Sequence, residues 1–332
     1  MNWQKSLIKK MEPFGLKPKV SCRSTSGKIL NRPQLTLFLK GAVIRPQSIK
    51  TNVNLVNYTS FKIGGAAEFF LTPKNIKELQ DALGFAKNKK IPVFILGSGS
   101  NILISDNGVK GLVIKLNKKC FKNLYSKGTR LVAGSGLKLN QLILFAKTKG
   151  LSGLEFLAGI PGTLGGSLIG NAGAWGKSIG DLVEQVCVLD YNGRQRLLSA
   201  RELRFSYRRS NLNKCIILWS RLKLEKKNKA IIAAEMKRYF LVRSKTQNNT
   251  LPNAGCIFKN PSDQMSAGKL IDLCKLKGRK KGKAIISKVH ANFILNLGNA
   301  KSSDVLFLIN LICKKVKSKF GINLAQEIKL WQ

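Results

Sequence analysis

The sequence predicts a fold that mixes α-helices with β-strands in more than one domain, and three observations predict it. Apolar residues make up 44% of the 332, enough to bury sizeable cores and too many for a disordered basic tail. Short β-branched apolar runs, bounded by glycines or turn residues, recur along the chain. Between them lie longer stretches with apolar residues every three or four positions, the spacing of one helix face. No internal repeat is visible, and the length is that of two or three domains.

Residues 1–50 hold eleven basic residues and one acid, Glu12, without periodicity. They are expected to be a basic N-terminal extension, irregular or a presequence, and they lack the continuous apolar stretch of a secretory signal. From about Val53 the mixed pattern begins. Glu68–Leu71 reads as a strand, and Thr72-Pro73 as the opening of a helix through Lys87 that lines Ile76, Leu79, Leu83 and Ala86 on one face. Ile91–Leu96 is a buried strand ending in Gly97-Ser98-Gly99-Ser100-Asn101, followed by a short strand at Ile102–Ile104. Leu137–Lys149 is a helix stopped by Gly150. Val183–Leu189, Asp190–Gly193 and Arg194–Leu198 form strand, turn and strand. Cys215–Leu224 is a strand and Ala230–Arg243 a helix. The last third adds a strand near Gly255–Lys259, a helix Ala267–Leu273, a strand Asn292–Asn296, a helix Ser302–Lys319 and a final strand Glu327–Trp331. A boundary is expected near 220–250, which separates a unit at about 51–225 from one at 226–332.

Composition excludes several functions. The single histidine, His290, rules out a multi-histidine metal site, and no metal is expected. Seven cysteines, at 22, 120, 187, 215, 256, 274 and 313, form no CxxC pair. That speaks against a disulfide framework or zinc ribbon and for a reducing cytosol. The net charge of +43 first suggests nucleic acid, but its distribution does not. Residues 151–200 carry three basic residues against four acidic ones, while 201–250 carry fourteen against three. The densest motif therefore sits where the charge disappears, and most lysines read as solvated surface. The uncharged stretch Phe156–Gly176 could span a membrane by length, but its seven glycines and Pro161 make it a folded loop system. The run Lys275–Lys283, with six basic residues, is open to two readings, a solvated loop or an attraction for phosphates.

Two glycine-rich loops stand out. Gly97–Asn101 follows a buried strand and can turn backbone N–H groups toward an anion, although a tight turn would look the same. It is neither the dinucleotide fingerprint nor a Walker loop. The second runs from Gly159-Ile160-Pro161-Gly162-Thr163-Leu164-Gly165-Gly166 to Asn171-Ala172-Gly173-Ala174-Trp175-Gly176. So many glycines cost backbone entropy, and keeping them points to close approach of something flat or phosphorylated. The absence of local cations suggests binding through backbone N–H groups and helix ends.

These loops belong to an ordered series. Asn57-Tyr58-Thr59-Ser60-Phe61-Lys62-Ile63-Gly64-Gly65-Ala66 precedes them, and Tyr207-Arg208-Arg209-Ser210 follows. Asn253-Ala254-Gly255-Cys256-Ile257-Phe258-Lys259-Asn260-Pro261, Ala267-Gly268-Lys269-Leu270-Ile271, His290-Ala291-Asn292-Phe293-Ile294 and Glu327 complete it. Over about 53–330 the chain resembles the UDP-N-acetylenolpyruvoylglucosamine reductases (UDP-N-acetylmuramate dehydrogenases). Only about forty residues separate Ser210 from Pro252, so the resemblance is to the shorter subtype, without an extra substrate loop.

The resemblance implies an α+β fold: an FAD-binding domain of the vanillyl-alcohol-oxidase type in two subdomains, plus a C-terminal substrate domain. It implies a cytoplasmic enzyme of peptidoglycan synthesis that takes hydride from NADPH through FAD to a nucleotide-sugar substrate. No specific nucleic-acid partner and no membrane span are expected; the oligomeric state is open, with a monomer favoured. Cofactor contacts would fall at Gly64, Gly97, Gly99, Ser100, Asn101, Gly159, Pro161, Gly162, Gly165, Gly166, Asn171, Ala172 and Gly173. Substrate contacts would fall at Tyr207, Lys259 and Asn260. Arg208 would hold and polarise the substrate carboxylate, and Glu327 would assist in stabilising the enolate. The family's usual proton donor is a serine where this chain has Cys256. A thiol, with a reference pKa of about 8.5, is protonated at neutral pH and a stronger acid than an alkanol. His290, though within a matching segment, is expected to be structural. Two rival readings differ in class: a related FAD-dependent oxidase, and a non-enzymatic polyanion-binding protein.

Overall fold

The computed structural model describes residues 46–247 and 251–332. The expected extension therefore lies outside the described residues except for its last few positions, of which Ile49 is buried and Lys50 opens the first strand.

The first unit is a four-stranded sheet in the order Lys50–Asn54, Ala66–Leu71, Val109–Lys115, Val93–Leu96, with the first pair antiparallel and the others parallel. Its helix runs Ile76–Lys89, starting later than the Thr72-Pro73 dipeptide suggested. Asn75 is the reason: its side chain accepts from the Glu78 N–H at 2.8 Å, while Glu78 accepts in return from the Lys74 N–H. Leu79, Ala82, Leu83, Phe85 and Ala86 form the buried face. The strand after this helix proves shorter than Ile91–Leu96, because Pro92 supplies only a carbonyl, to Leu112 N–H at 2.9 Å, before Val93 enters the sheet.

An antiparallel five-stranded sheet forms the second unit, in the order Gln195–Ser199, Val183–Leu189, Ile216–Lys223, Arg130–Gly134, Leu124–Lys127. Both of its faces are covered where its central strands run through 186–189 and 216–219, and those stretches are apolar throughout. Val186, Val188, Ile217 and Leu222 pack with Leu142, Ile143 and Ala146 of helix Leu139–Thr148 and with Leu164 and Leu168. Cys187, Leu189, Ile216 and Leu218 point the other way, onto Leu79 and Leu83 of the first unit. The two units thus share a core across this sheet.

The last third contributes a sheet in the order Asn253–Cys256, Phe293–Asn296, Ala284–Ile286, Lys280–Lys281, backed by helices Ala267–Leu273 and Ser302–Phe320. Its core takes in Phe61, Ile63 and Leu103 from the first unit. The final strand is Lys329–Trp331, shorter than expected, and it pairs in parallel with Ile102–Ile104. Helix Lys229–Thr246 buries Ile232 and Tyr239, and Tyr239 packs in the core of the five-stranded sheet. The Lys275–Lys283 run lies on the surface around a short hairpin, with Lys277 paired to Asp272 at 2.7 Å. Among the described residues no helix is long and apolar enough to cross a membrane.

Candidate active site

The two glycine loops meet. A side chain at Gly97 would stand 2.7 Å from Thr163 Oγ1, and Ser100 Oγ donates to the Pro161 carbonyl at 3.1 Å. Gly99, at φ +66°, presses against the backbone of Tyr58 and Thr59, and its carbonyl accepts from Ser60 N–H at 3.1 Å. Among the described residues, the N–H groups of Ser98, Gly99 and Ser100 have no acceptor. Side chains at Gly162, Gly166 and Gly170 would project into space rimmed by the hydroxyls of Ser100, Thr163 and Ser167, with nothing nearer than 3.6 Å. Behind this hollow, Ser135 Oγ is buried without a partner. An elongated ligand that accepts hydrogen bonds fits such a cradle, and FAD is one.

The structure corrects one part of the sequence reading. Helix Leu164–Ile169 does not offer its first amides as an anion site: Leu164 N–H donates to Leu137 O at 2.9 Å, Gly165 to Ser135 O at 2.8 Å and Gly166 to Thr163 Oγ1 at 3.3 Å. Nor is the region without cations. Lys115 Nζ donates to Gly97 O at 2.7 Å, and Lys138 pairs through its backbone with Thr163. Neither lysine lies in the glycine stretches themselves, and so a reading along the chain does not find them.

A second cluster gathers side chains from three distant segments. Arg208 sits at the tip of the hairpin formed by Phe205–Ser206 and Arg209–Ser210, at φ +52°, a conformation that a non-glycine residue seldom adopts. Its Nη1 donates to Gly173 O at 3.0 Å, and its Nε lies 3.0 Å from Glu327 Oε1. Glu327 is held by its backbone: its N–H donates to Ile257 O at 2.8 Å and its carbonyl accepts from Asn101 Nδ2 at 3.2 Å. Burial pushes its carboxyl above the ordinary range, opposed by Arg208 and more weakly by Lys259 and Lys329. Cys256 ends its strand at a bulge opposite Phe293, next to Gly255 at φ +73°. Burial, with the Glu327 charge, pushes its thiol up to about 12, against the pull of Arg208 and Arg243. The thiol is therefore fully protonated at neutral pH, but it has lost most of the acidity that its reference value promised.

The remaining expected positions divide by what they touch. Asn260 N–H donates to Tyr207 Oη at 3.3 Å, and Asn260 Oδ1 accepts from Ala267 N–H at 3.1 Å, so these two polar side chains stand together at the rim. Asn171 bridges Gly180 N–H and the Ser206 carbonyl, which steadies the Arg208 hairpin. Gly64 faces Ile104, Gly165 faces Ser135, and Gly173 packs within its own hairpin, so each allows a close backbone approach. Gly159 faces Arg243. His290 has a packing role, its Nδ1 accepting from Asn292 N–H at 3.3 Å and its ring resting on Phe293.

Sequence reasoning missed Arg243. Its guanidinium is stacked over Trp175 at 5.1 Å, its Nε donates to Ala158 O at 3.2 Å, and its Nη2 is buried with no partner. It reaches this place only because helix Lys229–Thr246 lies beside the glycine region. In the sequence it is one basic residue of a basic run, and no local signal marks it.

Sequence profiles of known families match both parts of the chain. One described as "FAD binding domain" covers residues 67–199, and one described as "UDP-N-acetylenolpyruvoylglucosamine reductase, C-terminal domain" covers 246–331. The UDP-N-acetylenolpyruvoylglucosamine reductase of Caldanaerobacter subterraneus subsp. tengcongensis is 41% identical over 290 residues, 87% of this chain and 95% of that protein. The protein of the same name from Listeria monocytogenes is 39% identical over 285 residues, 85% and 95% of the two chains. The crystal structure of UDP-N-acetylenolpyruvylglucosamine reductase from Thermus caldophilus is similar at a TM-score of 0.74 and 37% identity, covering 86% of this chain and 99% of that one.

Proposed function

The chain belongs to the UDP-N-acetylenolpyruvoylglucosamine reductase family, and we propose that it performs this family's reaction with Arg208, Glu327 and Cys256. It is an FAD-containing, NADPH-dependent oxidoreductase of the α+β class, with an FAD-binding domain of the vanillyl-alcohol-oxidase type. Its product is UDP-N-acetylmuramate, and its place is peptidoglycan precursor synthesis, hence cell-wall biogenesis, cell shape and cell division. The convergence of a guanidinium, a carboxyl of raised pKa and a protonated thiol at one spot supports these residue roles most.

When bound, FAD supplies the hydride, which it takes from NADPH. Hydride arriving at the terminal carbon of the enolpyruvyl group leaves negative charge on the neighbouring carbon, which bears the ether oxygen and the carboxylate. Arg208 draws that charge into the carboxylate: Nη1 and Nε are tied to Gly173 and Glu327, which orients the planar group, and Nη2 is left to donate. Glu327, whose carboxyl burial raises above its ordinary range, would in its protonated form donate a hydrogen bond to the enolate. Cys256 then gives its proton to the carbon, and Arg208 and Arg243 stabilise the thiolate left behind. Tyr207, Lys259 and Asn260 bind the nucleotide-sugar at the rim.

The cofactor contacts remain those named above, from Gly64 to Gly173, with the junction of the two glycine loops at their centre. The folding units are taken as 51–115, 116–225 and 226–332, with helix Lys229–Thr246 resting on the second. A nucleotide-sugar and NADPH as reactants suit a cytoplasmic enzyme, and a monomer suffices for the site, since every group named comes from one chain. The test is anaerobic reduction by NADPH followed by reoxidation. Rapid return of the flavin absorbance with UDP-N-acetylglucosamine enolpyruvate and slow return with oxygen is the expected result. Fast return with oxygen and none with the enolpyruvyl substrate would make the protein an oxidase.

A further inference from the structure

The stretch Phe156–Gly176 has no charged residue, yet the structure brings the Lys115 ammonium, and Lys138 through its backbone, to its junction with Gly97–Asn101. Lys115 ends the strand Val109–Lys115, and its ammonium group reaches back to Gly97 O at 2.7 Å, with the Tyr58 ring 5.6 Å away. Lys138 is fixed through its backbone bridge to Thr163, the residue that Gly97 touches. The charges acting on Lys115 are those of Lys122 and Lys138, both positive. Burial and this repulsion bring its pKa down to about 8. A half-buried cation held among others of the same sign destabilises the free protein, and an anion at this place would relieve it.

We propose that Lys115, flanked by Lys122 and Lys138, is the cationic seat for the diphosphate of FAD where the two glycine loops meet. The proposal rests on the reading of the chain as an FAD enzyme. It follows that the anion returns a full charge to Lys115, so FAD binding at alkaline pH carries a proton into the protein.

The experiment uses the full chain freed of FAD and titrated with FAD by calorimetry at pH 8.5, in two buffers of different ionisation enthalpy. Wild type is expected to take up roughly 0.7 proton per FAD, the share missing from a lysine of pKa near 8. Lys115→Met should bind FAD about ten- to a hundredfold more weakly, take up no such proton, and bind riboflavin, which has no phosphate, as wild type does. Lys115→Arg should keep most of the affinity and lose the proton uptake. The FAD-free Lys115→Met protein should melt no lower than wild type, which separates lost binding from lost folding. Unchanged FAD affinity in Lys115→Met, or equal proton uptake in all three proteins, overturns the proposal and leaves the FAD reading standing. A wild-type chain that binds no FAD overturns that reading and the proposal with it.

Discussion

Arg208 and Glu327, ion-paired at 3.0 Å, act on Cys256 in opposite directions: the carboxylate raises the thiol pKa and the guanidinium lowers it. Cys256, proposed above as the proton donor, thus feels two opposite charges besides its burial, and changing either residue shifts the thiol.

Arg208→Lys keeps a positive charge but loses the planar fork that spans Gly173 O and Glu327. Expected is a fall of about 10²–10³ in kcat, with kcat/KM falling in parallel because the interaction matters most when charge develops. Steady-state kinetics with a variant of wild-type kcat would remove Arg208 from charge stabilisation.

Cys256→Ser restores a hydroxyl donor, and Cys256→Ala leaves none. The serine variant should turn over within about tenfold of wild type and the alanine variant should lose about 10²–10⁴. Hydride delivery and protonation can be told apart by following flavin reoxidation beside product formation in deuterated solvent. Near-normal turnover of Cys256→Ala would show that the proton comes from elsewhere.

Glu327 has a folded-state pKa above its ordinary value, chiefly through burial. If its protonated form is the competent one, kcat is full on the acid side and declines as pH rises through that raised pKa. Glu327→Gln, a permanent donor, should flatten this limb of the profile and retain more activity than Glu327→Ala. A limb of wild-type shape in Glu327→Gln would assign it to another group.

Cys187 is buried between the sheet and the first helix, and its thiol is pushed up to about 12 from 9.0. Because the folded-state value lies above the unfolded one, its contribution to stability is whole below pH 9 and is lost as pH rises toward 12. Urea midpoints should fall by the equivalent of about 1 kcal/mol per pH unit above 9. Cys187→Ala should lower stability below pH 9 and make that alkaline slope shallower, so that the two proteins converge as pH rises. Parallel slopes in the two proteins would contradict the burial of a protonated thiol.

Gly97→Ala places a methyl group against Thr163 Oγ1, at 2.7 Å, in the seam between the glycine loops. Weaker FAD retention is expected at nearly unchanged melting temperature of the FAD-free chain, measured by flavin fluorescence. Combining it with Thr163→Ser, which keeps the helix cap, tests the contact directly, since that variant has more freedom to turn its hydroxyl away.

Elements whose cause lies within a few residues were legible in the sequence. Helix Ala267–Leu273 and strand Ile102–Ile104 fall where the pattern put them, since Ser266 caps the one and glycine turns flank the other. The first helix starts late because Asn75 and Glu78 cap it together, a signal that was present but overshadowed by Thr72-Pro73. Lys115 and Arg243 could not be read this way. Each owes its role to neighbours far along the chain, Gly97 in one case and Trp175 in the other, and their residue types are common throughout this basic sequence. The low acidity of Cys256 was hidden for the same reason, because it comes from burial and from Glu327.

The parallel pairing of Lys329–Trp331 with Ile102–Ile104 closes Arg208, Cys256 and Glu327, the residues proposed to carry the chemistry, into one loop of chain. Under tension applied near the two ends, these strands would be loaded in shear, and the segment between them would stay slack until they parted. That segment should therefore be released mechanically in a single step, when the three-residue clasp parts. Its reactive groups would keep their places up to the moment the clasp opens.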